Sequence, residues 1–530
     1  MMRLLPKKSN ISGSRFAASL ASLCLACSLN PLAAQSPETK PEVKKEEPML
    51  GLDRKGDELL DFLFMSVAGL SKPKTWEDAI KVPIEVTTTS KAAREYARQG
   101  FGLMQCGWDI EAHRSFVHAL KYDPDCLISY TGLLYLSATN HNPSHEKKTD
   151  LMERVDTLYK SKKDGEYSYK QQERLYAELA VSRLEGNKVA QLEVLDKLVK
   201  EYPLDFQALI SKKVLMRLRT GAVTAEETQE KKDYVAMLMK RYKYTPMLWV
   251  YWMLLHDYET DQGVISSQVL PVVNKLTVWA PDMPTFVLKK GYFLRKAGQY
   301  KEAEVEFIKA EKLFAEWGKE SQIPDDANDG LWKARIFKAV NYYDMGEFDK
   351  AIKLSEEMAK AEINVGLKSE LRGIFLWEVK TLTTRLYLAR GGEGDLEKAR
   401  ETLPSKEYKT SVEEFSAVTF YYQGLNEYIA IRILLRDGRM DDAIKIQARL
   451  AATLGKTNGQ RKENSNSFVD KNYFFRGFGA LQIYFEHSNA LVSLLNDDKK
   501  TYETLIEGAR AKLDKYGNLS VLPRHVMQKF

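Results

Sequence analysis

Residues 102–126 read GLMQCGWDIEAHRSFVHALKYDPDC. Cys106, His113, His118 and Cys126 fall close together, beside a Trp and several acids. The stretch is therefore either a reactive or metal-binding cluster or a piece of scaffold, and spacing decides between them. Taken as helix, turn, helix, Cys106 closes the first helix and Cys126 follows the second. A helix of about 14 residues separates the two by about 20 Å, whereas a disulfide needs Cα atoms within about 7 Å. Two unpaired, packed thiols are expected, since a free Cys behaves as a small hydrophobe. His113 and His118 are five apart, about 140° around a helix. They cannot share a metal as the i, i+4 pair of HExxH does. His118 is expected on a polar face with Glu111 and Arg114, and His113 at the border of the packed face.

The plainer residues of the stretch carry more information: Gly107, Ala112, Phe116, Ala119 and Pro124. A Gly with an Ala five residues on recurs as Gly298 with Ala303, Gly346 with Ala351, Gly394 with Ala399 and Gly438 with Ala443. In these four an apolar residue (Tyr300, Phe348, Leu396, Met440) sits two after the Gly. The pattern describes a helical hairpin. Glycine takes the left-handed conformation that ends a helix, and Asp109 is placed to cap the next one. Ala marks the point where the second helix crosses the first, where a larger side chain would push the axes apart. Phe116 and Ala119 share its face at i+4 and i+7.

These residues resemble the tetratricopeptide repeat. Tyr96, Gly100, Leu103, Gly107, Ala112, Phe116, Ala119 and Pro124 fall at the family spacing, and Gly291, Leu294, Gly298, Ala303, Phe307 and Ala310 repeat it. The resemblance implies an all-α, superhelical solenoid of roughly nine antiparallel hairpins over most of residues 90–515. Repeats over 90–283 are more degenerate after the first. From 284 to 530 the marker alanines lie at 303, 351, 399 and 443, wider than the usual period of about 34. Longer helices, or longer linkers such as WGKESQIPDDANDG (317–330), would account for that. Residues 56–89 are expected to form an N-terminal helical segment, in which IEVTTTS (84–90) leads into the next helix with Ser90 as its N-cap. MLWVYWMLL (247–255) is too short to span a membrane and is expected to be a helix buried on all sides.

The first 34 residues stand apart. Arg3, Lys7, Lys8 and Arg15 precede the apolar run FAASLASLCLACSL, and NPLAAQS offers cleavage after Ala34. This is the pattern of a secretory signal peptide. An uncleaved anchor, or a lipoprotein modified at Cys27, fits less well; Cys24 would stand at the −3 position in the latter. Residues 35–55, rich in Pro and mixed charge, form a flexible linker. The full chain has 79 basic and 73 acidic residues, a net +6. Subtracting the four basic residues of the signal leaves 75 − 73 = +2. That balance offers no clustered charge for nucleic acid, and an exported protein at the periplasm or cell surface is expected, with no transmembrane segment after cleavage.

No site for catalysis, cofactor or metal is expected. LGKT (454–457) imitates the end of a phosphate loop, but Leu450 occupies the required Gly position. His141 and His145 in HNPSH lack a third ligand. On the family pattern the first helix of each hairpin lines a groove, which makes Phe101, Met104, Tyr292, Arg295 and Tyr343 the candidate partner-binding residues. The family's carboxylate clamp is not expected, because its positions hold Ala97, Phe101, Leu288 and Tyr292. Function then reads as a non-catalytic scaffold for another protein or peptide. Two alternatives stand beside it: a glycan-binding helical repeat protein of the outer-membrane type, and a helical-toroid enzyme such as a glycosidase. The last would need two carboxylates about 5–9.5 Å apart across a cleft.

Overall fold

A computed structural model describes residues 57–76, 82–138, 143–215, 225–257, 259, 261–361, 370–404, 416–463 and 468–516. The expected signal peptide, the linker and His141 lie outside the described residues. Among the described residues the chain is all-α apart from one two-stranded ribbon, Lys162–Lys163 with Glu166–Tyr167. After α1 (Glu58–Met65), the helices form consecutive pairs. The first three are α2 (Lys91–Gln105) with α3 (Asp109–Tyr122), α4 (Leu127–Leu136) with α5 (Lys148–Lys160), and α6 (Gln171–Leu184) with α7 (Lys188–Glu201). Then come α8 (Phe206–Leu215) with α9 (Ala225–Arg241), α10 (Pro246–Leu255) with α11 (Gln262–Val264) and α12 (Leu270–Trp279), and α13 (Pro284–Lys296) with α14 (Tyr300–Ser321). The last four are α15 (Asp329–Asp344) with α16 (Phe348–Lys360), α17 (Glu370–Arg390) with α18 (Asp395–Glu401), α19 (Ser416–Arg436) with α20 (Met440–Glu463), and α21 (Phe468–Leu495) with α22 (Lys499–Tyr516). That is ten pairs among the described residues, one more than expected from the sequence. A π-turn over Ile265–Val269 joins α11 to α12.

The repeat markers do what their chemistry dictates. Gly107 has φ +72° and ends α2. Its N–H donates to the Met104 carbonyl (3.1 Å) and that of Trp108 to Leu103 (3.0 Å), which satisfies two carbonyls of the last turn. Gly298 (φ +79°), Gly346 and Gly438 end α13, α15 and α19 in the same way. The copy at Gly394 departs: Gly391 ends α17, and Gly394 precedes α18 as its N-cap. Asp109 does not act as the cap of α3; Trp108 holds that position without a side-chain bond. Ser90 does cap α2, its side chain accepting from Ala93 N–H at 3.0 Å.

Ala112, Phe116, Ala119, Ala303, Phe307, Ala310, Ala351, Ala399 and Ala443 are all fully buried. Phe116 shows why the hairpins stack. Its ring fills the space left by Gly100 on α2 and Gly132 on α4, where an added Cβ would overlap the ring. Phe307 fits against Gly291 in the same manner, and Phe314 against Gly330. One phenyl ring thus locks two first helices to the second helix between them.

Two hydrophobic cores result. The first runs from Leu59 to Ala334, the second from Trp332 to Leu491, and they meet within α15. The changeover falls later in the chain than the change of repeat spacing at 283/284. Long helices contribute to the wide spacing: α14 continues through Trp317 to Ser321 and α15 begins at Asp329, so half of 317–330 is α-helix. Among the described residues of 56–89 only α1 is helical; 66–76 and 82–90 run without helix. MLWVYWMLL lies in α10, with Met247, Leu248, Trp249, Val250, Trp252 and Met253 buried.

Candidate functional site

The described residues of 66–76 and 82–90 lie against the first hairpins as a strap. Its main chain is held by long side chains. Arg114 Nη2 donates to the Ser71 carbonyl (2.7 Å), Gln99 Nε2 to Lys74 (2.9 Å) and Arg98 Nε to Ile84 (2.9 Å). In the other direction Trp76 N–H donates to Gln99 Oε1 (2.9 Å), Glu85 N–H to Gln172 Oε1 (2.9 Å) and Thr87 N–H to Glu173 Oε1 (2.8 Å). Trp76, Val82, Ile84 and Val86 are buried beneath it. No helical period runs through these residues, so their extended form follows from the donors and acceptors that α2, α3 and α6 present.

Under the strap lies a contact between distant hairpins. Arg114 pairs with Glu111 and donates to Ser321 Oγ (2.9 Å), while Trp317 Nε1 donates to Glu111 Oε2 (3.2 Å). Trp108 packs on Trp76 (5.4 Å between centroids), Trp317 (5.0 Å) and Phe314 (6.0 Å). The extra turns of α14 therefore dock on the start of α3. This overturns the expectation of a polar face at Glu111 and Arg114, which are wholly buried. Burial pushes the Glu111 carboxyl up, against the opposing pull of Arg114. His118 leaves that face as well, packed edge-on to Tyr96 (4.6 Å) and Tyr122 (5.3 Å). Burial, then Lys121 and Lys72, depresses its pKa to about 3. His113 is buried between Ser66 Oγ (2.8 Å) and Ser144 Oγ (3.0 Å). Cys106 and Cys126 are unpaired and buried, and burial raises each thiol to about 12.

The five candidate partner-binding residues are mostly packed. Phe101 is fully buried against Phe116, Tyr135 and Tyr176. Tyr292 is buried, its hydroxyl donating to the Asp257 carbonyl (2.9 Å). Arg295 pairs with Asp344 (2.6 Å), and buried Tyr343 packs on Phe348. Met104 alone of the five keeps partial exposure without a polar partner assigned to it. The described contacts of Phe101, Tyr292, Arg295 and Tyr343 are made within the chain itself. Gln105 of α2 hydrogen-bonds Gln207 of α8, three hairpins on.

The second core holds a polar cluster that sequence reasoning missed. Arg385 of α17 pairs with Glu378 (2.6 Å), and Tyr421 of α19 donates to the other oxygen of that carboxylate (3.0 Å). Tyr428 stacks on Tyr484 of α21 (4.9 Å, 18°), and its hydroxyl bonds His487 Nδ1 (2.7 Å). Arg432 lies one turn further along α19 and is 1% exposed. The sequence signal was available: Tyr421, Tyr428, Arg432 and Arg436 fall at i, i+7, i+11 and i+15, one stripe of a helix.

Other candidates dissolve into structure. His145 Nδ1 bonds the Ser137 carbonyl (2.8 Å). LGKT lies inside α20, with Thr457 bonded to the Thr453 carbonyl (2.8 Å). Among the described residues no group of three His, Cys, Asp or Glu is placed to hold a metal, and no helix is long and apolar enough to cross a membrane.

No family model and no curated protein matches the chain. Among solved structures it is similar to a monomeric mutant of IFIT1 with Gppp-AAAA, at 11% identity and TM-score 0.33, over 72% of this chain and 90% of that one. The human IFIT1 dimer with m7Gppp-AAAA follows at 10% identity and TM-score 0.29, over 87% and 96%. The APC/C hetero-tetramer Cut9–Hcn1 matches at 10% and TM-score 0.25, over 82% and 89%. The tetratricopeptide-like assignment rests on the hairpins themselves: the glycine-ended first helices, the buried crossing alanines and the shared phenyl rings.

Proposed function

We propose that this chain is a non-catalytic repeat scaffold of the bacterial envelope that binds another protein by holding an extended segment against its hairpins. The observation that supports it is the strap. Three helices of the array bond the main chain at Ser71, Lys74, Trp76, Ile84, Glu85 and Thr87, through Arg98, Gln99, Arg114, Gln172 and Glu173. Main-chain bonds that give affinity and apolar pockets that give selectivity are the two halves of extended-peptide recognition. The array already applies both to its own chain. Export is read from the N-terminal pattern of residues 1–34.

The test places a photo-cross-linking residue at Tyr244 or Val278 of the full chain, which are 85% and 82% exposed at a junction between hairpins. The chain is then expressed in its native cell. One protein cross-linked through one extended peptide, with competition by that peptide in solution, supports the reading. Saturable polysaccharide binding with no protein adduct overturns it in favour of the glycan alternative. N-terminal sequencing of the mature protein tests export, with a start at Gln35 expected.

A further inference from the structure

Three successive junctions between hairpins, 202–205, 242–245 and 280–283, share one edge of the array. There α7, α9 and α12 end, and α8, α10 and α13 begin. Two ring contacts join these junctions to one another. Phe206, at the start of α8, packs on Tyr242, just past the end of α9 (5.0 Å between centroids). Trp249, in the first turns of α10, packs on Trp279 at the end of α12 (6.1 Å).

Large apolar side chains stand out from this edge. Leu204 is 58% exposed, Tyr244 85%, Val278 82% and Trp279 44%. At such exposure Tyr244 and Val278 project from the surface rather than line a hollow. The exposed charges on the same last helical turns and junctions are mostly positive: Lys200, Lys240, Arg241 and Lys243 against Glu201 and Asp282. Asp205 is turned inward, its carboxylate accepting from Tyr176 (2.7 Å) and Gln172 (3.0 Å). Arg241 lies over the Tyr242 ring (5.4 Å) and Lys275 over that of Trp249 (5.8 Å), so cations and aromatic rings interleave.

The shape and the charge of the edge select its occupant. Anchors of a protein interface sit in packed, desolvated pockets, and projecting tips do not offer these. A bilayer interface needs no pocket. Trp and Tyr rings sit at the level of the headgroups, apolar side chains enter the boundary of the acyl chains, and Lys and Arg keep their heads at the lipid phosphates while their stems stay apolar. Anionic headgroups attract such basic segments.

We propose that this edge rests on a lipid surface bearing anionic headgroups. Leu204, Tyr244, Val278 and Trp279 enter the interface, and Lys240, Arg241 and Lys243 meet the phosphates. The contact is interfacial and needs no membrane-crossing helix. It goes beyond the scaffold reading, since it fixes which edge of the array faces the membrane, and it does not depend on the strap.

The test encodes a solvatochromic amino acid at Tyr244 of the full chain, or at Val305 of α14, which is 64% exposed and serves as the control. Each protein is titrated with vesicles of phosphatidylglycerol and phosphatidylethanolamine. A saturable blue shift at position 244 and none at 305 is expected, whether or not residues 1–34 also bind lipid. The shift weakens in vesicles of phosphatidylcholine alone and in high salt. In Lys240→Gln with Lys243→Gln, both at exposed positions, affinity read at 244 falls at least about tenfold. No shift at 244, an equal shift at 305, or parental affinity in the double variant overturns the proposal. Protein adducts from a photo-cross-linker at Tyr244, with no insertion into vesicles, overturn it in favour of a protein at this edge.

Discussion

The two cores solve the same problem differently. In the first, the buried charge at α3 is answered within the chain: Glu111 and Arg114 face each other, and Ser71, Trp317 and Ser321 complete the arrangement from two distant segments. In the second, Arg385 has its Glu378, but Arg432 has no acid among the described residues. The strap and the long α14 cover the pair in the first core, although Glu111 Oε1 and Arg114 Nε stay buried without a hydrogen-bond partner among the described residues. Each core thus keeps a buried guanidinium with one nitrogen unpartnered among the described residues, and the cores differ in whether a described acid stands beside it.

The strongest way to break the comparison is to empty each core in turn. Phe116→Ala removes a ring shared by α2, α3 and α4, and a loss of about 3–5 kcal/mol is expected. Trp fluorescence during urea unfolding checks it, since Trp76, Trp108, Trp249, Trp252 and Trp317 all belong to the first core. The counterpart is Leu481→Ala, whose side chain fills the space over Gly424. It should cost about 2–5 kcal/mol and lower hydrogen-exchange protection in α19 and α21 first. If both variants unfold the molecule in one indistinguishable step, the two cores are a single cooperative unit.

Charge deletion sharpens the contrast because the expected signs differ. Arg114→Met strands Glu111 in the interior and should cost about 3–5 kcal/mol. Arg432→Met strands nothing. In a sodium chloride buffer it should be neutral or stabilising, by up to a few kcal/mol. Chemical denaturation of both variants in that buffer is the measurement. Equal destabilisation would mean that Arg432 is paired as fully as Arg114.

Much of this was legible from the sequence, and the reasons divide along local and long-range lines. Gly107, Ala112 and Phe116 act within one hairpin, so their spacing alone exposed the fold. Cys106 and Cys126 were placed correctly for the same reason. Glu111 and Arg114 looked like a solvated face, because what covers them comes from Ser71, Trp317 and Ser321, the last two about 200 residues away. Phe101, Tyr292 and Tyr343 were read from hairpin geometry alone, which does not show the rings that pack on them from neighbouring helices. The second-core cluster was a stripe on α19 whose partners sit on α17 and α21, and no local pattern joins them.

Acid should act on both halves through buried histidines, His118 and His256 in the first and His487 in the second. His118 in the first core and His487 in the second have folded pKa values near 3, against about 6.5 unfolded. The unfolded chain therefore binds more protons between those values, so stability falls as pH drops from 6.5 towards 3. The slope is about 1.4 kcal/mol per pH unit for each histidine before screening by solvent. His487→Asn should flatten the slope for the second core and leave the first unchanged, as read by hydrogen exchange at pH 7 and pH 5. An unchanged slope would show that His487 is reached by water and titrates normally.

The smallest effects test what the halves share. Gly107 and Gly346 both adopt left-handed φ, +72° and +78°, and an added Cβ would meet nothing within 4 Å at either. Space is therefore not at issue, and only backbone strain remains. Alanine at each position should cost about 1–2 kcal/mol, the same in both cores. Denaturant midpoints of Gly107→Ala and Gly346→Ala measure it. Equal losses would identify the turn as a local device that each hairpin carries for itself. A clearly larger loss at Gly107 would mean that the turn also sets how α14 docks on Trp108, and that closure of the first core begins at its first glycine.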